Sequence, residues 1–267
     1  MKFLPLAKKM ILFALLFYIA ILAFLFFFQR KLQYMPTGRI EKVATNFQEK
    51  ILTTEDGVEI LSWFKTPQKS QKIILYFHGN AGNLGDRKHK FETFANAGFG
   101  VMAISYRGYF GSRGAPSEAG LIYDARAAFK YLLDLGYLPK DIILYGESLG
   151  TGVAVQLASK FDVAAIVLEA PYSSIVDVAK QSYWFVPVSL ILKDKFESAK
   201  FAPKITAPTL IIHGSSDRIV AITEGKKLYQ EIKAKKKFIE VQGAAHLQFS
   251  DEFLLEQLQD FLRENLK

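Results

Sequence analysis

Six short apolar runs constrain this chain more than any other feature. They lie at 73–77, 100–104, 142–145, 165–168, 209–212 and 238–241, and Glu240 is their only charge. Runs this short and continuous fit strands buried on both faces. Between them, 88–97, 118–135, 149–160, 224–234 and 251–266 carry helical periodicity, with Pro116 before the second and Gly136 after it. Strand and helix alternating over about two hundred residues specify an α/β fold, a mostly parallel central sheet with helices on both faces. Ahead of the first run, 50–54 and 58–64 read as two strands joined at Glu55-Asp56-Gly57, a hairpin signal. The stretch 172–204 breaks the rhythm with Trp184, Phe185, Pro187 and the apolar 188–192. It reads as a small insertion, either lining an acyl pocket as a lid or packed on the sheet edge.

From Met10 to Phe28 no residue is charged. About twenty apolar residues in a helix span the roughly 30 Å hydrocarbon core of a bilayer. Lys8 and Lys9 flank one end, Arg30 and Lys31 the other, and Tyr34 suits the interface. A cleaved signal peptide is the rival reading. The run is long for one, however, and it ends in Phe26-Phe27-Phe28-Gln29-Arg30 without a small-residue cleavage site. The expected organisation is a basic tail at 1–9, a single-pass membrane anchor at 10–28, a polar basic tether at 29–48 and a catalytic domain at 49–267. Basic residues on both sides of the span leave its orientation open.

The formal charge of +8 looks like a nucleic-acid signal until it is located. Residues 1–50 hold eight Lys/Arg against Glu41 and Glu49, and the remainder is close to neutral. The charge therefore belongs to the anchor region, and no nucleic-acid partner is expected. With no cysteine, disulfides, thiolate catalysis and cysteine-held metals are excluded. Only four histidines are present, and neither cofactor nor metal is expected.

Chemistry in an open α/β sheet collects beyond the carboxyl ends of its strands. The run 142–145 leads into Gly146-Glu147-Ser148-Leu149-Gly150, where small residues permit a sharp strand-to-helix turn that pushes the serine hydroxyl outward. Beyond Phe77 comes His78-Gly79-Asn80-Ala81-Gly82-Asn83, a slender loop able to aim amides at an oxyanion. The expected oxyanion hole is the N–H of Asn80 with that of Leu149. Past Ile212 the chain reaches Asp217, and past Val241 it reaches His246. Serine needs a base, and the imidazole needs a carboxylate to hold its tautomer. Ser148, Asp217 and His246 follow in the chain order that α/β-hydrolases use. Glu169 and Asp194 are the rival acids. His78 and His213 read as buttresses, His89 as a solvated helix start, and Glu147 as a structural contact.

The chain resembles the α/β-hydrolase superfamily, and within it the single-pass, membrane-anchored serine hydrolases that include protein depalmitoylase-like enzymes. The resemblance rests on 75–83, Tyr106-Arg107-Gly108-Tyr109, Gly114-Ala115-Pro116-Ser117-Glu118, 146–150 and Glu169-Ala170-Pro171-Tyr172. It implies hydrolysis of an acyl ester or thioester, on a lipid or an acylated protein, through an acyl-enzyme and without a cofactor. It also implies that Arg107 ties loops together. Ser105 and Phe110 depart from the usual arginine motif, and Ala221 stands where a proline commonly follows Val220. A peptidase of the prolyl-oligopeptidase type shares fold and triad order, and a non-catalytic membrane-bound binding module is the other alternative.

Overall fold

The computed structural model describes residues 3–37, 46–68 and 72–266. A long helix α1 (Phe3–Gln33) and a two-residue strand β1 (Met35–Pro36) precede the sheet domain. Then come β2 (Gln48–Thr53), β3 (Glu59–Lys65), β4 (Ile73–Phe77), the short β5 (Ala81–Gly82), α2 (Lys88–Asn96) and β6 (Gly100–Ile104). Next are α3 (Glu118–Asp134), β7 (Ile142–Glu147), α4 (Leu149–Ala158) and β8 (Ala165–Glu169). The insertion contributes α5 (Ile175–Ser182), α6 (Val188–Ile191) and α7 (Ser198–Phe201). The chain ends with β9 (Thr209–Gly214), α8 (Ile222–Glu231), β10 (Lys236–Val241) and α9 (Asp251–Asn265).

Eight strands form one sheet in the order β10-β9-β8-β7-β4-β6-β3-β2. All pairs are parallel except β2 with β3 and β3 with β6. The hairpin between β2 and β3 turns at Gly57, whose φ of +81° only glycine adopts cheaply. Alternation along β4 shows why its run is wholly apolar. Ile73, Leu75 and Phe77 join the core under α3 and α4, while Ile74 and Tyr76 join the core under α2 and α9. The central strand β4 thus feeds two hydrophobic layers.

The apolar run 10–28 lies inside α1, and the helix from Leu6 to Gln33 is long and apolar enough to cross a membrane. The tether expected from residue 29 needs correction. Gln29, Arg30 and Gln33 remain helical because each finds a partner in the insertion: the Ile191 carbonyl, the Asp194 carboxylate and the Asp194 carbonyl, respectively. Beyond them, β1 pairs in parallel with β5, and the Met35 amide donates to Asn80 Oδ1 at 3.0 Å. Most of the remaining tether, 38–45, lies outside the described residues.

Candidate active site

Ser148 stands between the end of β7 and the start of α4 with φ 47° and ψ −112°. A non-glycine residue in this region stores about 1–3 kcal/mol of strain and persists only where its surroundings over-determine it. Here the Ser148 amide donates to the Glu169 carbonyl at 2.8 Å, and the Ser148 carbonyl accepts from the Thr151 amide at 2.9 Å. The flanking glycines record how tightly α4 crosses the strand ends. A Cβ on Gly150 would stand 2.0 Å from the Phe77 carbonyl oxygen, and one on Gly146 would stand 2.6 Å from the Gly150 carbonyl oxygen. Only hydrogen fits at either place.

The loops after β9 and β10 bring Asp217 and His246 to the same serine. His246 Nε2 lies 3.0 Å from Ser148 Oγ, and His246 Nδ1 lies 2.7 Å from Asp217 Oδ2. Asp217 Oδ1 accepts from the amides of Ile219 and Val220 at 2.8 and 2.9 Å, so the carboxylate cannot rotate away. Burial raises its cost of ionisation, but bonds from His213, His246 and the Val220 amide outweigh that and hold its pKa well below the usual carboxylate range.

His213 is buried, and its Nε2 sits 2.9 Å from the Val220 carbonyl and 3.4 Å from Asp217, as a buttress to the acid loop. His78 is also buried, tilted against the Tyr106 ring and edge-on to that of Tyr109, with Nδ1 2.6 Å from the Gly79 carbonyl. Burial, followed by the nearby Arg87 charge, pushes its pKa down to about 3, so it is neutral and supports backbone. His89 is exposed as expected, yet it pairs with Asp251 at 2.6 Å.

Asn80 and Leu149, the expected amide donors, lie in the loop after β4 and at the start of α4. Leu149 opens α4, so its N–H is among those no intrahelical carbonyl can take. The Asn80 side chain is fixed by Met35 and by the Tyr109 hydroxyl at 2.9 Å, which orients the peptide carrying its amide. The preceding amide, Gly79, donates to Glu147 Oε1 at 3.2 Å.

The rival acids are engaged elsewhere. Glu169 is buried and binds Lys90 at 2.9 Å and the Tyr145 hydroxyl at 2.9 Å. Asp194 forms a two-pronged pair with Arg30, at 2.7 and 3.1 Å.

Known proteins bear on this geometry. The S33 serine aminopeptidase family of hydrolases matches residues 68–200 and 193–252. The α/β-hydrolase domain-containing protein 17C of Xenopus tropicalis is 31% identical, the match covering 79% of this chain and 72% of that protein. This chain is an α/β-hydrolase. The lysophosphatidylserine lipase ABHD12 of Danio rerio is 33% identical over 62% of this chain and 49% of its own length. Among solved structures, the Pyrococcus furiosus esterase Pf2001 superposes with a TM-score of 0.70 at 20% identity, covering 87% of this chain and all of that one.

The matches thus agree with the motifs in making the chain a serine hydrolase of the α/β-hydrolase family. Its departures from the usual motifs are accommodated locally. Ser105 Oγ donates to the Phe110 carbonyl at 2.7 Å, which closes the arginine loop without an aspartate. Arg107 binds Asp124 at 2.8 Å and Asp56 at 2.6 Å, tying the β6 loop to α3 and to the β2–β3 turn.

Sequence reasoning missed the cations beneath the site. Glu147 is buried and receives Arg87 at 2.5 Å, Lys90 at 3.4 Å and the Tyr76 hydroxyl. Burial opposes its charge, yet Arg87 and Lys90 hold its pKa below the ordinary glutamate range; Glu169, despite Lys90, is raised by its burial. A signal was present: two glutamates ending apolar strands demand buried cations, and 87–90 holds Arg87, Lys88 and Lys90.

Proposed function

We propose that this hydrolase is a single-pass membrane-anchored enzyme, held by residues 10–28, whose catalytic domain cleaves carboxylic ester or thioester bonds of acyl substrates. The observation that carries the reading is the unbroken chain from Ser148 Oγ to His246 at 3.0 Å and on to Asp217 at 2.7 Å. His246 takes the Ser148 proton as Oγ attacks the acyl carbon. The tetrahedral oxyanion is received by the amides of Asn80 and Leu149. Collapse expels the alcohol or thiol, which takes its proton from His246, and leaves an acyl-enzyme. Water, deprotonated by the same imidazole, then attacks and releases the acid, and the proton returns to Ser148.

Acyl substrates suit a catalytic domain held at a bilayer, and the similarity to a lipase in Danio rerio supports a lipid or an acylated protein as the substrate. An aminopeptidase needs a free acidic pair to receive the substrate amine. The buried carboxylates that end β7 and β8, Glu147 and Glu169, are already held by Arg87 and Lys90, which favours the ester reading. Labelling of the detergent-extracted chain with a tagged fluorophosphonate tests the proposal. Wild type should label, and Ser148→Ala and His246→Ala should not. A folded wild type that stays unlabelled would instead support a non-catalytic binding module.

A further inference from the structure

Twelve residues of the insertion, 181–192, carry no charge, although Lys180 and Lys193 bracket them. They comprise the end of α5, the turn after it and α6, and this turn folds back along α1. Leu22 and Leu25 of α1 pack against Val176, Val186 and Val188. The Tyr18 hydroxyl donates to the Phe185 carbonyl at 2.7 Å. Tyr18 precedes Arg30 by twelve residues, or about 18 Å of helix at 1.5 Å per residue. The turn therefore reaches far along the apolar part of α1, well past the Arg30–Asp194 pair that fastens the base of the insertion.

At its tip the turn is apolar and outward-facing. Trp184 and Leu190 are each 83% exposed, with Tyr183 and Phe185 partly exposed beside them. Such a cluster in water invites aggregation or a partner. In hydrocarbon it carries no such liability, provided its backbone is satisfied internally, and much of this turn meets that condition. The Val186 amide donates to Tyr183, Val188 to Val186, Leu190 and Ile191 to Pro187, and Leu192 to Val188. Pro187 has no N–H, and the Phe185 carbonyl is taken by Tyr18. Lys193, just outside the uncharged stretch, lies over the Phe26 ring at 4.2 Å, a placement suited to a lysine reaching toward headgroups.

We propose that residues 181–192 are a second membrane-contacting element, embedded in lipid beside the C-terminal half of α1, with Trp184, Phe185 and Leu190 in the acyl-chain region. The bilayer is the partner because the apolar tip continues the surface of α1. The cavity of about 250 Å³ between the two elements is walled by Leu25, Leu32, Val178, Val186 and Ile191, and it then opens to hydrocarbon rather than to water. The same insertion reaches the site through Tyr172, whose hydroxyl donates to the Leu149 carbonyl at 3.0 Å. This proposal rests on the reading of α1 as a membrane helix.

Because the chain has no cysteine, single substitutions report one position each. Full-length Trp184→Cys, Leu190→Cys, Phe17→Cys and Leu138→Cys would be labelled with an environment-sensitive fluorophore and reconstituted in phosphatidylcholine vesicles carrying nitroxide-labelled acyl chains. All four side chains are exposed, so folding is preserved. Probes at 184 and 190 should be blue-shifted and quenched at least twofold more than the probe at 138, which stands on a loop of the sheet domain. Quenching at 17 with water-like signals at both 184 and 190 overturns the proposal and leaves the anchor intact. A water-like signal at 17 as well overturns the anchor on which it rests.

Discussion

Asp217→Asn separates the orienting role of the acid from its packing. The amides of Ile219 and Val220, at 2.8 and 2.9 Å, require an oxygen where Oδ1 stands. The asparagine must therefore place its carbonyl there and turn its NH₂ toward His246 Nδ1, into the position Oδ2 holds at 2.7 Å. His213 does not relieve the conflict, because its Nε2 already serves the Val220 carbonyl at 2.9 Å. His246 then has to accept at Nδ1 and carry its proton on Nε2, facing Ser148, where it cannot act as a base. A wrong tautomer at a Ser-His-Asp site costs about 10⁴ in kcat, or about 5.4 kcal/mol at 1.36 kcal/mol per decade. Steady-state hydrolysis of a short p-nitrophenyl ester in detergent measures it, with a thermal melt as the control for folding. A folded variant that loses less than tenfold would refute the assigned role of Asp217.

Two further outcomes follow from the packing beneath the site. Gly150→Ala puts a methyl carbon 2.0 Å from the Phe77 carbonyl oxygen, backbone against side chain with no flexible atom to yield. Overpacking should cost about 1–3 kcal/mol in denaturant unfolding, and displacing the Leu149 amide should lower kcat about 10²-fold; unchanged turnover would count against that amide as an oxyanion donor. Glu147→Gln leaves Arg87 without its buried partner and should cost about 3–5 kcal/mol at pH 7. Because the pKa of Glu147 is depressed by Arg87 and Lys90 against the cost of burial, its stabilisation is present above about pH 4.5 and fades as pH falls through and below that range. The gap between wild type and Glu147→Gln should therefore hold constant from pH 7 to about pH 5 and narrow only below about pH 4.5 in urea titrations carried down to pH 3. A gap independent of pH would mean that Glu147 acts through shape rather than charge.

The sheet was legible because a strand buried on both faces leaves little choice of residue, as the wholly apolar Ile73–Phe77 illustrates. Ser148, Asp217 and His246 could be proposed because each lies within a few residues of the carboxyl end of a strand, where loops meet at one edge of a parallel sheet. What could not be read depends on packing between distant segments. Arg87 and Lys90 look like surface residues of an amphipathic helix until α2 is set against the ends of β7 and β8. Gln29 and Arg30 look like the first polar residues of a tether, since only their partners 162–164 positions away mark them as contacts. A two-residue strand such as Met35–Pro36 has no period to detect.

That short strand changes what the N-terminal helix is for. Within two residues of leaving α1 the chain is hydrogen-bonded to Asn80, and two residues later Thr37 Oγ1 accepts from the Gly82 amide at 2.9 Å. The helix is thus part of the frame of the loop that carries the proposed oxyanion donor Asn80, and it is not a handle to be cut off for convenience. A soluble version trimmed to residue 38 would keep Ser148, Asp217 and His246 yet lose the Met35 bond to Asn80, leaving only Tyr109 to hold that side chain. Its turnover would then describe a loosened enzyme, and screening inhibitors against it would select for a site that the intact chain does not present.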